Sequence, residues 1–300
     1  MPVKDTHYVI PGRHGPVHAR TYSLGASELR PALVWFHGGG FIGGDLDMPS
    51  ADWVARSIAE KGFVVVSGDY SKCLDGVHYP IPNDDVLDLW TWVGERAISL
   101  GIDPAGIHVG GASAGATLAA SLAKRLRDGA GMVPKSVILV SPALHYGLPE
   151  AQGDLQAVLF AHADNVLTPD LIRSMSDNYC GGSASAADIY AFPSNGEVSG
   201  LPPTFVLNAE IDSLRSSGED YAARLHQAGV DVVVEYEPGA THGHLNEPDE
   251  VHATRSLLRL ISWLRIHSLS GGSGQVSSDS SARWAQGLSD RMETGLRQQD

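Results

Sequence analysis

The chain has 300 residues, 43% of them hydrophobic and 19% charged, which is enough apolar material for the core of a single α/β domain. Its net charge of −14 argues against nucleic acid or an anionic membrane as a partner, because phosphate contacts need clustered lysine and arginine. Two cysteines, Cys73 and Cys180, are too few for a disulfide framework and lack metal-ligand spacing, so they read as reduced bystanders.

In chain order, MPVKDTHYVI lacks the apolar run of a signal peptide, and HYVIPGRHGPVHARTY predicts an antiparallel hairpin turning at Gly12 to Gly15. The runs ALVWFHGGG, FVVVSGDY, IHVGGAS, SVILVSPA, PTFVLNAE and VDVVVEYEPG follow, each β-branched or aromatic and stopped by Gly, Asp or Pro. They read as buried strands. Helical patterns lie between and after them at about 50–61, 83–99, 114–128, 214–228 and 248–267. The last carries a stripe of Val251, Leu257, Leu258, Ile261, Trp263 and Leu264. Such alternation predicts a mostly parallel sheet with helices on both faces. The basic cluster Lys124 to Arg127 falls at a helix end, where it complements the helix dipole.

Two segments break the rhythm. Residues 145–200 hold no strand pattern but carry Leu155, Val158, Leu159, Phe160, Leu167, Leu171 and Met175. A segment that long reads as an inserted cap, its apolar residues either forming a lid or seating the insertion on the domain. SLSGGSGQVSSDSS, at 268–281, is a linker by composition. Beyond it Trp284, Leu288, Met292 and Leu296 recur every four residues, as in an amphipathic helix or a partly ordered tail. The expected organisation is one domain over 1–267, its cap at about 145–200, followed by linker and tail over 268–300. No stretch reaches the roughly 18 to 20 apolar residues of a membrane span, and a soluble, cytoplasmic protein is expected.

The chemistry centres on Gly111-Ala-Ser-Ala-Gly115, which leaves a predicted strand and enters a predicted helix. In that setting a serine stands on a sharp turn, and small neighbours keep the turn free of clashes. Alone the pentapeptide also fits a phosphate-cradling turn. A serine nucleophile, however, needs a base, an acid to orient it and donors for an oxyanion. Asp212 follows PTFVLNAE and His242 follows VDVVVEYEPGAT, an acid and a base each placed after a later strand. His37-Gly-Gly-Gly-Phe41 follows ALVWF, and its glycines let backbone N–H groups approach a substrate oxygen. Singly, HGGGF could be a flexible turn and Asp212 a helix cap; together the four elements point to acyl transfer by Ser113.

At these residues the chain resembles the bacterial hormone-sensitive-lipase-like esterases of the α/β-hydrolase superfamily, over roughly residues 8 to 267. The resemblance rests on HGGGF at 37–41, GASAG at 111–115, LPPTFVLNAEIDSLRSSGEDYAARLHQAGV at 201–230 and YEPGATHGH at 236–244. It implies an α/β-hydrolase fold, Ser113 as nucleophile, His242 as general base and Asp212 as orienting acid. The backbone N–H groups of Gly39, Gly40 and Ala114 would hold the oxyanion, and His37 would shape the loop without moving protons. His242 precedes Gly243 as the pattern's base does, which leaves His244 in a pocket-lining position. Phe41, Leu46 and Leu245, from the same loops, are expected to line the pocket with it.

The implied reaction is two-step hydrolysis of short- to medium-chain carboxylic esters, on small-molecule substrates and with no cofactor. The pair His242 and His244 lacks the matching cluster a metal would need. An amide, carbamate or lactone substrate, or a non-catalytic binding role on the same fold, stays open. A homodimer through the edge of the last strand is expected from the resemblance alone. The chain departs from the pattern at Ala112, where an acidic residue is usual, and at DYSKCLDGVHYP (69–80), where DYRLAPE is usual. The helical N-terminal cap is also short or absent. The last two departures reshape the walls of the site and so bear on substrate more than on chemistry.

Overall fold

In the computed structural model, residues 2–25, 28–182 and 187–269 are described. The predicted linker and terminal stripe, from 270 onward, fall outside them. The hairpin forms as β1 (Lys4–Gly12) and β2 (Gly15–Ser23). Then come β3 (Arg30–Phe36), α1 (Asp52–Ala59), β4 (Val64–Asp69), α2 (Ile81–Arg96), β5 (Ile102–Ala112) and α3 (Ala114–Arg125). The chain continues through β6 (Val137–Val140), α4 (Asp154–Ala161), α5 (Pro169–Cys180), β7 (Thr204–Ile211), α6 (Arg215–Gln227), β8 (Val232–Thr241) and α7 (Val251–Leu269).

The eight strands form one sheet in the order β1-β2-β4-β3-β5-β6-β7-β8. β2 pairs antiparallel with β1 and β4, and every other neighbouring pair is parallel. Because both faces are covered, the strands read as continuous apolar runs and their residues split between two cores. Val34, Val66, Val109, Leu139 and Val206 pack on one face, with α2, α3 and α6. Leu33, Trp35, Val65, Ile138, Phe205 and Leu207 pack on the other, with α1 and α7. Each large aliphatic side chain so buried contributes about 1.5–3 kcal/mol.

Parallel pairing brings the C-terminal ends of β3, β5, β6, β7 and β8 to one edge of the sheet, where open α/β folds bind ligands. The segment between β6 and β7 carries α4 and α5, and α5 is tied down closely. Its Thr168 side chain caps the helix by accepting from Leu171 N–H, Pro169 stands in the first turn, and Asn178 Nδ2 donates to the Cys73 carbonyl at 2.8 Å. Tyr179 O–H donates to Asn83 Oδ1 at 2.6 Å. No helix among the described residues is long and apolar enough to cross a membrane.

Three sequence readings change in the folded chain. Lys124 does not complement a dipole at the surface: it is fully buried, donating to the carbonyls of Glu197 at 2.6 Å and Pro193 at 3.3 Å. Burial pushes its ammonium down to about 8. In the α7 stripe, Val251 and Leu258 face solvent, each 54% exposed, while Leu257, Leu260, Ile261 and Leu264 face the sheet. Of the apolar residues in the insertion, Leu155 is buried but Phe160 is 88% exposed.

Candidate active site

β5 lies between β3 and β6, so Ser113, the residue after β5, stands between their C-terminal ends. Ala112 pairs with Val140, and Ser113 N–H donates to the Val140 carbonyl at 2.8 Å. The serine takes φ 53° and ψ −120°, a strained backbone for any residue with a Cβ. α3 starts on the next residue. The small neighbours are demanded by space: a Cβ on Gly111 would come within 2.4 Å of Gly115 backbone, and one on Gly115 within 2.2 Å of the Phe36 carbonyl. The corner is therefore wedged under the end of β3, where the glycine loop begins.

That loop, Gly38 to Gly40, passes close to the serine. A Cβ on Gly38 would sit 3.4 Å from Ser113 Cβ, and one on Gly39, at φ 126°, 2.1 Å from the Gly43 carbonyl. The Gly39 carbonyl accepts the N–H groups of Ile42 and Gly43, at 3.1 and 2.9 Å, which turns the loop back on itself. His37 props it from behind. Its Nδ1–H donates to the Gly38 carbonyl at 2.6 Å, its Nε2 lies 3.0 Å from Asp69 Oδ1, and its ring stacks on Tyr70. Tyr70 O–H donates to the His37 carbonyl at 3.0 Å. Asp69 and Tyr70 are the two residues this chain shares with the usual pattern of that segment. Ala114, as the first residue of α3, leaves its N–H without an intrahelical partner.

Asp212 and His242 follow β7 and β8, which pair at Ile211 and Thr241. Asp212 is fully buried; its Oδ1 accepts Leu214 N–H at 2.9 Å. His242 Nδ1–H donates to its Oδ2 at 2.8 Å, which leaves Nε2 to accept from the Ser113 hydroxyl at 3.0 Å. Burial pulls the His242 imidazolium down, but the Asp212 charge and hydrogen bond outweigh it, and the pKa is raised above the ordinary 6.5. A hydroxyl, an imidazole and a buried carboxylate thus stand in one line of hydrogen bonds. That line can take a proton from the oxygen at one end and stabilise the resulting imidazolium at the other.

These groups open on a cavity of ≈ 250 Å³. Gly38, Gly39, Gly40, Ser113 and His242 line it, as do His244 and Leu245. His244 turns away from the serine: its ring meets Ser256 on α7, Nε2 to Oγ at 2.8 Å, and burial pushes its pKa down to about 4. Phe41 and Leu46 are not among the lining residues. Phe41 stacks on Tyr179 with ring centroids 3.9 Å apart, and Leu46 is buried, its carbonyl accepting from Arg20. Ala112, where an acidic residue is usual, contributes a methyl to the wall.

Sequence reasoning missed Met48, Ser50 and Ser141, which also line the cavity, whereas Leu167 and Met175, which line it too, belong to the apolar set expected in the insertion. Met175 comes from α5, and its Sδ would lie 3.1 Å from a Cβ on Gly40. Leu167 is held by Ser213, the neighbour of Asp212, whose hydroxyl donates to the Leu167 carbonyl at 2.7 Å. For Ser141 a signal was present: it ends SVILVS at the strand edge where ligands gather. Nothing local marks Met48 and Ser50.

The sequence profile of the α/β-hydrolase fold family matches residues 33–246. The chain is 37% identical to the carboxylesterase NlhH of Mycobacterium tuberculosis over 225 residues, covering 72% of this chain and 67% of that one. It is 30% identical to an ethyl acetate hydrolase of Pseudomonas putida over 239 residues, 79% of this chain and 73% of the relative. Among solved structures, a hyperthermophilic esterase of the archaeon Pyrobaculum calidifontis superposes with a TM-score of 0.79 at 32% identity, covering 89% of this chain and 84% of that one.

Proposed function

This chain belongs to the α/β-hydrolase fold family, in its hormone-sensitive-lipase-like esterase branch, and on that premise we propose that Ser113, His242 and Asp212 carry its catalysis. The protein is a carboxylesterase-type hydrolase acting on small-molecule esters. The observation that carries the proposal is the unbroken line from Ser113 Oγ through His242 to Asp212, at 3.0 and 2.8 Å, opening on the cavity.

In the first step His242 Nε2 takes the hydroxyl proton as Ser113 Oγ attacks the ester carbonyl. The N–H groups of Gly39, Gly40 and Ala114 hold the developing oxyanion. His242 then returns the proton to the departing alcohol, leaving an acyl-serine. Water, deprotonated by the same imidazole, attacks that acyl group and regenerates the enzyme. Asp212 stays ionised throughout, fixing the imidazole tautomer and stabilising its cation.

The preferred acyl chains are short to medium, about C2 to C8. In support, the cavity is smaller than the roughly 300–1,000 Å³ of most ligand pockets. Met175 and Leu167 bound it on the side of the insertion, which serves as a cap. Pairing of two copies through the edge of β8, and action in the cytoplasm, belong to the same proposal; sedimentation and cell fractionation test them. A panel of ethyl and 4-nitrophenyl esters from C2 to C16, with matched amides and lactones, tests the substrate reading. Short esters are expected to lead; a higher kcat/KM for C16 than for C4, or for amides than for esters, overturns it.

A further inference from the structure

Two serines in the cavity wall have hydroxyls that no described residue satisfies. Ser50 and Ser141 are 1% and 3% exposed, both line the cavity, and neither Oγ has a hydrogen-bond partner among the described residues. Buried hydroxyls are ordinarily paired, because an unpaired one forfeits its bonds to water. Their backbones are anything but loose. Ser50 N–H donates to Asn246 Oδ1 at 3.1 Å, and its carbonyl accepts the Trp35 indole N–H at 2.7 Å. Ser141 N–H donates to the Leu207 carbonyl at 2.9 Å, and the residue sits at φ 46°, a left-handed backbone that costs a side-chain-bearing residue strain. Each serine is thus fixed in place on a separate loop, with its one free polar group unspent.

Their positions relative to the reaction are also fixed. Ser141 follows Val140, whose carbonyl holds the Ser113 N–H, so it is one residue from the nucleophile's own anchor. Ser50 is held by Asn246, four residues after His242 and itself part of the cavity wall. Met48, Val140, Leu167, Met175 and Leu245 supply apolar surface to the same wall. Hydroxyls fixed in such surroundings discriminate strongly, since a ligand without a matching group leaves them unpaired.

We propose that Ser141 and Ser50 form a polar subsite that receives a hydroxyl or oxo group carried by the ester within a few bonds of its scissile carbonyl. This rests on the esterase reading above and narrows it: the substrate class is short hydroxy- or oxo-substituted esters rather than plain alkyl esters. The group can sit on the acyl or the alcohol side, and matched substrates separate the two.

The test compares ethyl butyrate, ethyl 3-hydroxybutyrate and 2-hydroxyethyl butyrate by pH-stat, with the wild-type chain and the variants Ser141→Gly and Ser50→Ala. Glycine is at ease at φ 46°, so Ser141→Gly removes the hydroxyl without added backbone strain; thermal melts verify folding of both variants. One hydroxylated ester is expected to exceed ethyl butyrate in kcat/KM by at least about tenfold in the wild type, with that ratio falling several-fold in at least one variant. The ester that shows the preference identifies the side. A wild-type ratio below twofold for both hydroxylated esters, or a ratio unmoved in both variants, overturns the subsite while ethyl butyrate turnover keeps the esterase reading intact. No turnover of any of the three esters overturns the esterase reading and the subsite with it.

Discussion

Burial and Asp212 act on His242 in opposite directions, and the carboxylate prevails. The base works only as neutral imidazole, so a raised pKa means that activity is lost early as pH falls. The acidic limb of kcat/KM is expected to have its midpoint above 6.5, and Asp212→Asn should shift it to lower pH while cutting kcat steeply. A wild-type midpoint below 6 would contradict the coupling. Ser113→Ala should cost several orders of magnitude in kcat with the fold intact, as triad deletions do. His242→Ala should cost at least about a thousandfold. His244→Phe should cost under about tenfold in kcat, because that ring is bonded to Ser256 and not to the nucleophile. It should also lower stability by about 1–3 kcal/mol, the buried Ser256 hydroxyl being left unpaired. Steady-state kinetics and melts of the two histidine variants decide the matter; the reverse ranking would move the base to His244.

At the scale of elements, the strand-to-helix corner was legible in the sequence because its demands are local. Gly111 and Gly115 are four residues apart; a side chain on Gly111 would strike the corner's own backbone, and one on Gly115 the end of β3 packed above it. Gly115→Ala should therefore destabilise the protein and depress activity together, since its methyl would strike the Phe36 and His37 carbonyls at 2.2 and 2.4 Å. Gly94 is the contrasting case. It lies inside α2, where a Cβ would meet only Met132 at 3.6 Å, so Gly94→Ala should stabilise by roughly 0.5–1 kcal/mol on helix propensity. Melting both variants against the wild type checks the pair. Illegible from sequence were the contacts made at long range. That Lys124 would plunge into carbonyls some 70 positions away, or that Phe41 would stack on Tyr179 instead of facing substrate, depends on how the β6–β7 insertion folds back. The strand pattern says nothing of that, and the 145–200 segment offered only a scatter of apolar residues.

Across the whole molecule, the sheet was readable because six apolar runs in βα alternation leave few ways to pair. The proposed triad was readable because each of its members directly follows a strand, β5, β7 or β8. The full cavity wall was not, since its residues come from the ends of β3, β5, β6 and β8 or the loops after them, and from the insertion. The same burial that hides such contacts sets the acid stability. Burial pushes His108 down to about 3 and His244 to about 4. Both remain neutral in the folded chain while the unfolded chain takes up protons near 6.5, so stability falls as pH drops from about 6.5 toward 3. His242, raised, works the other way and offsets part of the loss below its own pKa. Between pH 7 and 4.5 the unfolding free energy is expected to fall by an amount on the order of a few kcal/mol, read from urea midpoints. In His108→Gln that slope should flatten; an unchanged slope would show that other groups control it.

The Gly39 carbonyl, by accepting from Ile42 and Gly43, settles the shape of the glycine loop before any ligand arrives. Three consecutive glycines would otherwise be the most wandering part of the chain. Their disorder is surrendered once in the lifetime of each molecule, at the moment of folding, and every later turnover inherits the ordered loop. Catalytic speed here is in that sense a product of folding, and a chain not natively folded around residues 37–43 lacks it.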